Sequence, residues 1–281
     1  MTLCIAWKKG NEISLISDSR LTTNNLVVSE NANKIFSIYV NLYRGSYKSR
    51  KHIHSTKFGL CFAGSYLNGS VLADCISELT SELLFNKELP TFLEISNIAF
   101  LVFKKVTSAH MTIHRENAFA EVFFSGYDFQ TMKSKIAKFS CHLEGNQLKF
   151  NHEILSMQEN SFLYLGSKQA KSRATELFNL NGVTLTTPFQ IMQEIISSSS
   201  FPEVGGAIQY GCLLKGKYFR IYGFMEPDNT PMGFKRLFRN IPISQEEISQ
   251  ICSSIQIGLL AMHPLKGAKP LQLKPNHNPD I

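Results

Sequence analysis

Three residues with chemical potential stand at even intervals near the start of the chain. Thr2 opens the apolar run "TLCIAWK", Asp18 closes "EISLISD" and Lys34 leads "KIFSIYV", each sixteen positions from the next. A hydroxyl, a carboxylate and an ammonium group are the parts of an activated nucleophile if the fold brings them together. Residues 2–8 and 12–18 read as strands, and the "KGN" between them is a Gly/Asn turn of hairpin type. In such a hairpin the start of the first strand lies beside the end of the second, so Thr2 and Asp18 meet. Each residue also has an ordinary reading: Thr2 as a strand former, Asp18 as a turn residue, Lys34 as an exposed charge on an edge strand.

The elements that would position these residues follow from the apolar period. "KIFSIYV" and "FGLCFAG" (58–64) read as strands covered on both faces. After Gly64 the period becomes helical, with Val71, Leu72, Cys75, Ile76, Leu79 and Leu83 on one face of residues 65–85, and a second helix is expected over 91–113. Strands are expected at 118–128, 134–144, 146–156 and 161–167, then helices over "KQAKSRATELFNL" and "TPFQIMQEIISS", with Pro188 suited to a first turn. A closing hairpin turns at Lys215-Gly216-Lys217, and a last helix begins with the capping box Ser244 to Glu247. Blocks of strands separated by pairs of helices predict an α+β protein, with two antiparallel sheets face to face and helices outside them.

Composition narrows the class. A chain of 281 residues, 43% hydrophobic and 18% charged, with mean hydropathy −0.07, is soluble and globular in character. No run of about eighteen apolar residues is present, and charges at Lys8, Lys9, Glu12 and Asp18 interrupt any signal-peptide core. The six cysteines are scattered without metal-ligand spacing, which predicts a reducing cytoplasm, buried thiols and no metal or cofactor. The net charge of +7 is concentrated in two places. Residues 42–57, "LYRGSYKSRKHIHSTK", interleave cations with aromatics in the manner of a nucleic-acid contact, yet a solvated loop insertion is the better account of them, and neither a nucleic-acid nor a membrane partner is expected. The Pro/Lys/Asn-rich tail 263–281 is expected to be flexible beyond one domain spanning 1–262.

Thr2, the "SDSR" around Asp18, the "NK" at Lys34, the "CFAG" ending in Gly64 and the "LGS" ending in Ser167 resemble the proteasome β-subunit superfamily of N-terminal nucleophile (Ntn) hydrolases, closest to the bacterial HslV and Anbu types. The similarity is strongest over residues 2–75 and thins towards residue 225. It implies a four-layer αββα sandwich and a threonine-type peptidase. Removal of Met1 would expose Thr2 as nucleophile and its own α-amino group as base, a group whose reference pKa of about 7.7–8.0 suits neutral pH. By the same resemblance Lys34 would polarise Thr2, Asp18 would hold Lys34, the Gly64 N–H would stabilise the oxyanion and Ser167 would bind the terminal amine. Leu21, Ala32, Phe62 and Tyr66 would line the pocket for the residue before the cut. The chain departs from the family where an Asp and a Ser should precede Gly205-Gly206, since Phe201 and Val204 stand there. The basic segment 42–57, longer than expected, should lie near the substrate cleft. A peptide or protein substrate, homo-oligomeric rings or spirals and an unfoldase or regulatory partner are implied. Two alternatives remain: a non-peptide amidohydrolase of the same fold, and a catalytically inactive assembly subunit.

Overall fold

The computed structural model describes residues 2–23, 26–46, 48–145, 147–181, 187–214, 218–227, 234–238, 241–242, 250–251 and 261–262. Strands β1 (Leu3–Lys9) and β2 (Glu12–Ser17) form the expected hairpin, with Cys4 opposite Ser17 and Lys9 opposite Glu12. Gly10 at its turn has φ +57°, a conformation that favours glycine. A two-stranded ribbon follows, β3 (Leu21–Thr23) with β4 (Leu26–Ser29), and then the long hairpin of β5 (Ile35–Ser46) and β6 (Ser49–Gly64).

Helix α1 (Tyr66–Thr80) starts where the Ser65 side chain accepts from Asn68 N, and it buries Leu72, Ala73 and Ile76. Helix α2 (Phe92–His114) starts with a reciprocal capping box: Glu94 N donates to Thr91 Oγ1, and Thr91 N donates to Glu94 Oε2 at 2.7 Å. Its buried stripe of Phe92, Ile95, Ala99, Val102 and Phe103 repeats at the helical period. Between them the structure departs from the sequence expectation. α1 stops at Thr80, whose hydroxyl turns back to the carbonyls of Ile76 and Tyr39, and Leu83–Phe85 become a short strand, β7, parallel to Leu42–Arg44 of β5. The open edge of β5 draws these residues out of the helix, and Leu79, expected on its apolar face, is exposed.

Strands β8 (Ala120–Asp128), β9 (Lys133–Glu144), β10 (Gln147–Leu155) and β11 (Phe162–Gly166) come next, then α3 (Lys168–Asn181) and α4 (Thr187–Ser197), with Pro188 in the first turn of α4. The chain closes with β12 (Gln209–Leu214), β13 (Tyr218–Pro227), β14 (Phe234–Phe238), β15 (Ile241–Pro242) and β16 (Ala261–Met262). β12 and β13 pair as the expected hairpin, although its turn lies outside the described residues. So do the tail 263–281 and the expected last helix, apart from Gln250 and Ile251.

The protein is α+β. One sheet runs β11-β1-β2-β12-β13-β14-β15, with β16 joined to β13, and the other runs β10-β9-β8-β6-β5-β7. Three apolar clusters hold these elements together. Leu72, Ile76, Ile95 and Phe103 of α1 and α2 pack with Leu60, Phe124 and Phe139 of the six-stranded sheet. Ala170, Leu177, Ile191 and Ile195 of α3 and α4 pack with Leu3, Ile5 and Ile16 of the other. Cys4, Ala6, Leu15 and Leu213 meet Ile35, Cys61, Phe123 and Ile136 between the sheets. Burial of these side chains at about 25 cal/mol per Å² of apolar surface is the main force fixing the strand ends where the polar residues sit.

The basic segment is not a loop. Residues 42–57 continue β5 and β6 as paired strands, with a bulge at Leu42/Tyr43, out to a turn after Ser46. Nor does it lie near the predicted cleft. Lys34 precedes β5 and Gly64 ends β6, so the segment begins about 25 Å from them and its turn lies about 40 Å away at the usual rise per residue.

Candidate active site

Asp18 follows directly on β2 and is fully buried. Its Oδ2 accepts from Lys34 Nζ at 2.8 Å, from Gly205 N at 3.1 Å and from Arg20 N at 3.2 Å; its Oδ1 accepts from Leu3 N at 3.2 Å. The Lys34 side chain is 3% exposed, so this is a buried ion pair and not the surface charge that Lys34 resembles in isolation. Removing two charges from water is costly, and three backbone N–H donors on one carboxylate are what make it tolerable here.

Lys34 is held from behind by a residue to which the sequence reading gave no role. Gln209, buried at the start of β12, accepts from Lys34 N at 2.9 Å and from Ile35 N at 3.3 Å, and its amide donates to Ala32 O at 2.6 Å. The single visible signal is one amide side chain inside the apolar run "AIQYGCLL". Ser19 does similar service on the other side: its N donates to Gly205 O, its carbonyl accepts from Ala32 N, and its hydroxyl donates to Glu30 O while accepting from Ala207 N. Arg20 forks onto Glu30 at 2.9–3.1 Å and reaches Pro202 O at 2.8 Å, tying the β3–β4 ribbon to the segment before Gly205.

Thr2 is buried at the head of β1, and its carbonyl accepts from Ser167 N at 3.2 Å. The approach depends on Gly166, at φ +112°, where a Cβ would collide with the Thr2 carbonyl. Gly166 N in turn donates to Glu121, which also pairs with Lys138 at 2.7 Å. The Ser167 hydroxyl accepts from Ala170 N and so caps α3, leaving its proton for another acceptor. Gly64, also at positive φ, is exposed at the end of β6, and a side chain there would strike the Phe119 carbonyl.

Thr2, Asp18 and Lys34 therefore converge through Leu3, the residue after Thr2, whose N–H binds the Asp18 carboxylate. Ser167 joins them through the Thr2 carbonyl. The expected pocket residues are placed differently from one another. Leu21 on β3 and Tyr66 at the head of α1 are partly exposed, and Ala32 is buried beside Ser19 and Gln209. Phe62 is 1% exposed, its ring in the core beneath α1 with centroids 6.1 Å from both Phe36 and Tyr66. Phe201 and Val204 stand apolar before Gly205, and Val204 is fully buried.

Burial, then a hydrogen bond with Cys4, pushes the Cys61 thiol well up, while Cys4 Sγ donates to Phe62 O at 3.1 Å. The Cys61 thiol is therefore a protonated apolar group, not a competing nucleophile. Among the described residues no three His, Cys, Asp or Glu side chains come together as a metal site, and no helix is long and apolar enough to cross a membrane. No protein-family model matches the chain, and no curated protein matches it.

Proposed function

We propose that the protein is an N-terminal threonine hydrolase of the Ntn type, acting on peptide amide bonds, in which the three apolar clusters are the interfaces of a four-layer αββα sandwich. The observation that carries this reading is the Asp18 carboxylate, which binds the Lys34 ammonium and, through Leu3 N, the first peptide unit after Thr2. A nucleophile at Thr2 would thus be fixed relative to a buried positive charge.

Loss of Met1 gives Thr2 a free α-amino group. The Thr2 Oγ attacks the amide carbonyl, and the α-amine takes the hydroxyl proton, directly or through water. The oxyanion forms against the Gly64 N–H, and its collapse breaks the C–N bond as the α-ammonium returns the proton to the leaving amine. Water, deprotonated by the same amine, then cleaves the ester on Thr2. The Lys34 charge favours the deprotonated forms of hydroxyl and amine, and Asp18 keeps Lys34 charged and aimed. A cytoplasmic setting and assembly into a homo-oligomeric ring or spiral that confines the sites belong to the same reading.

A second reading has its own observation: Phe201 and Val204 stand where the family carries an Asp and a Ser before Gly205-Gly206, which favours an inactive assembly subunit. The two part on the intact mass of the purified protein and on turnover. Loss of Met1, together with hydrolysis of fluorogenic peptides that Thr2→Ala abolishes while its circular dichroism is unchanged, supports the hydrolase. Met1 retained in every molecule, or turnover by Thr2→Ala equal to wild type, refutes it. Activity confined to simple acyl amides would move the assignment to a non-peptide amidohydrolase.

A further inference from the structure

The far end of the β5–β6 hairpin carries the protein's charge. Residues 42–57 hold five of the 29 Lys and Arg and none of the 22 Asp and Glu, so the rest of the chain is left at +2 of the net +7. The ladder sets Arg44 directly opposite Lys51 and places Arg50 opposite Gly45, next to that pair. Like charges facing each other across strands are destabilising, and only Arg50 of this group has an acidic partner among the described residues, Glu82. An anion from outside is what the arrangement lacks.

Three of the cations are already aligned on rings. Arg44 lies over Phe85 at 5.3 Å, Arg50 over Tyr43 at 4.8 Å and Lys57 over Tyr39 at 4.6 Å. Such stacking preorganises the charged heads. It also occupies ring faces on which unpaired bases would stack, which turns the site away from single strands. Among the described residues β6 meets β8 only from Gly59 onward, so between Ser49 and Ser55 the backbone N–H groups that face away from β5 are further donors. Pairing with the same edge of a second copy would set cations against cations.

We propose that this arm binds double-stranded DNA through its phosphates, independently of sequence. Beyond Arg44, where β7 leaves β5, the arm is a two-stranded β-ribbon of the width that the major groove admits, and the duplex keeps its bases stacked among themselves. Arg44, Lys48, Lys51 and Lys57 are the phosphate contacts, with Arg50 held by Glu82. The arm lies at the opposite end of the strands from Lys34, so the inference stands apart from the hydrolase reading.

The test is fluorescence anisotropy of a labelled random duplex of about 24 base pairs with the full chain. Four phosphate contacts predict a fall in affinity of about a hundredfold between about 50 and 200 mM salt. Arg44→Glu with Lys51→Glu should weaken binding at least tenfold, and so should Lys48→Glu with Lys57→Gln, a pair that leaves the central rungs untouched. Thr2→Ala should bind as wild type does. Absence of binding at about 50 mM salt, unchanged affinity in both arm variants, or tighter binding to the single strand than to the duplex overturns the proposal.

Discussion

Lys34 and Lys51 stand at opposite ends of the same pair of strands and meet opposite fates. Lys34 is buried, and a carboxylate that also receives three backbone N–H groups neutralises it. Lys51 is exposed, with Arg44 across the ladder and no acidic partner among the described residues. One hairpin therefore joins a place where charge is fully compensated inside the protein to a place where it is left uncompensated. A buried charge is tolerated only with partners, so compensation marks a site whose geometry is fixed. An exposed charge carries little penalty in water, so its lack of partners is compatible with contact to something outside.

Breaking the compensated end should have the largest effect. Asp18→Ala leaves the Lys34 ammonium and the N–H groups of Leu3 and Gly205 facing a void, while Arg20 N keeps the Gly205 carbonyl, and should lower the unfolding free energy in urea by about 3–5 kcal/mol. Asp18→Leu combined with Lys34→Met removes both charges and should recover much of that loss. A single-variant loss below about 1 kcal/mol would mean that the pair is not compensated as described.

Gln209→Leu comes next. It leaves Lys34 N, Ile35 N and Ala32 O without their partner in a dry setting and should destabilise by about 2–3 kcal/mol. Hydrogen exchange should quicken first at the Lys34 and Ile35 amides, before global unfolding. Uniform quickening across β5 would give Gln209 only a general structural part, not that of a clamp on Lys34.

The difference between the two ends was legible in the sequence to different degrees, for physical reasons. The meeting of Thr2 with Asp18 depends on alternation and a Gly/Asn turn within eighteen residues, and such local signals carry through to the fold. The same holds for the helix expected over 91–113 from its apolar face, found at Phe92–His114. The clamp of Gln209 on Lys34 joins residues 175 positions apart, and nothing near either one announces it. The strands of the arm were hidden because pairing with a neighbour, not an apolar period, makes Arg50–Ser55 extended, and a run of charge reads as loop. Leu83–Phe85 were misread for the converse reason: their apolar spacing suits α1, but the edge of β5 competes for them. Motif position also says nothing about which side of a sheet a ring takes, and the Phe62 ring enters the helix-covered core.

At the uncompensated end single changes should matter little to stability. Lys57→Ala removes one cation from the exposed face of Tyr39 and should cost no more than about 0.5–1 kcal/mol. A loss approaching that of Gln209→Leu would place the arm in the folding core and erase the contrast between the ends.

The smallest effect is a dependence on pH. Burial against its surroundings, and then the charge of His52, hold His54 below the usual histidine range, with its ring edge-on to Phe129 at 5.2 Å. The folded state therefore binds fewer protons than the unfolded chain near the unperturbed pKa of about 6.5. The stabilisation is present above that value and is lost as pH falls through the lowered folded value. Wild type should accordingly lose stability relative to His54→Asn between about pH 7 and pH 5, by a few tenths of a kcal/mol because the ring is largely in solvent. Parallel stability curves for the two proteins over that range would show that His54 titrates as it does in the unfolded chain, and the arm would then be still more open to water than its ring contacts imply.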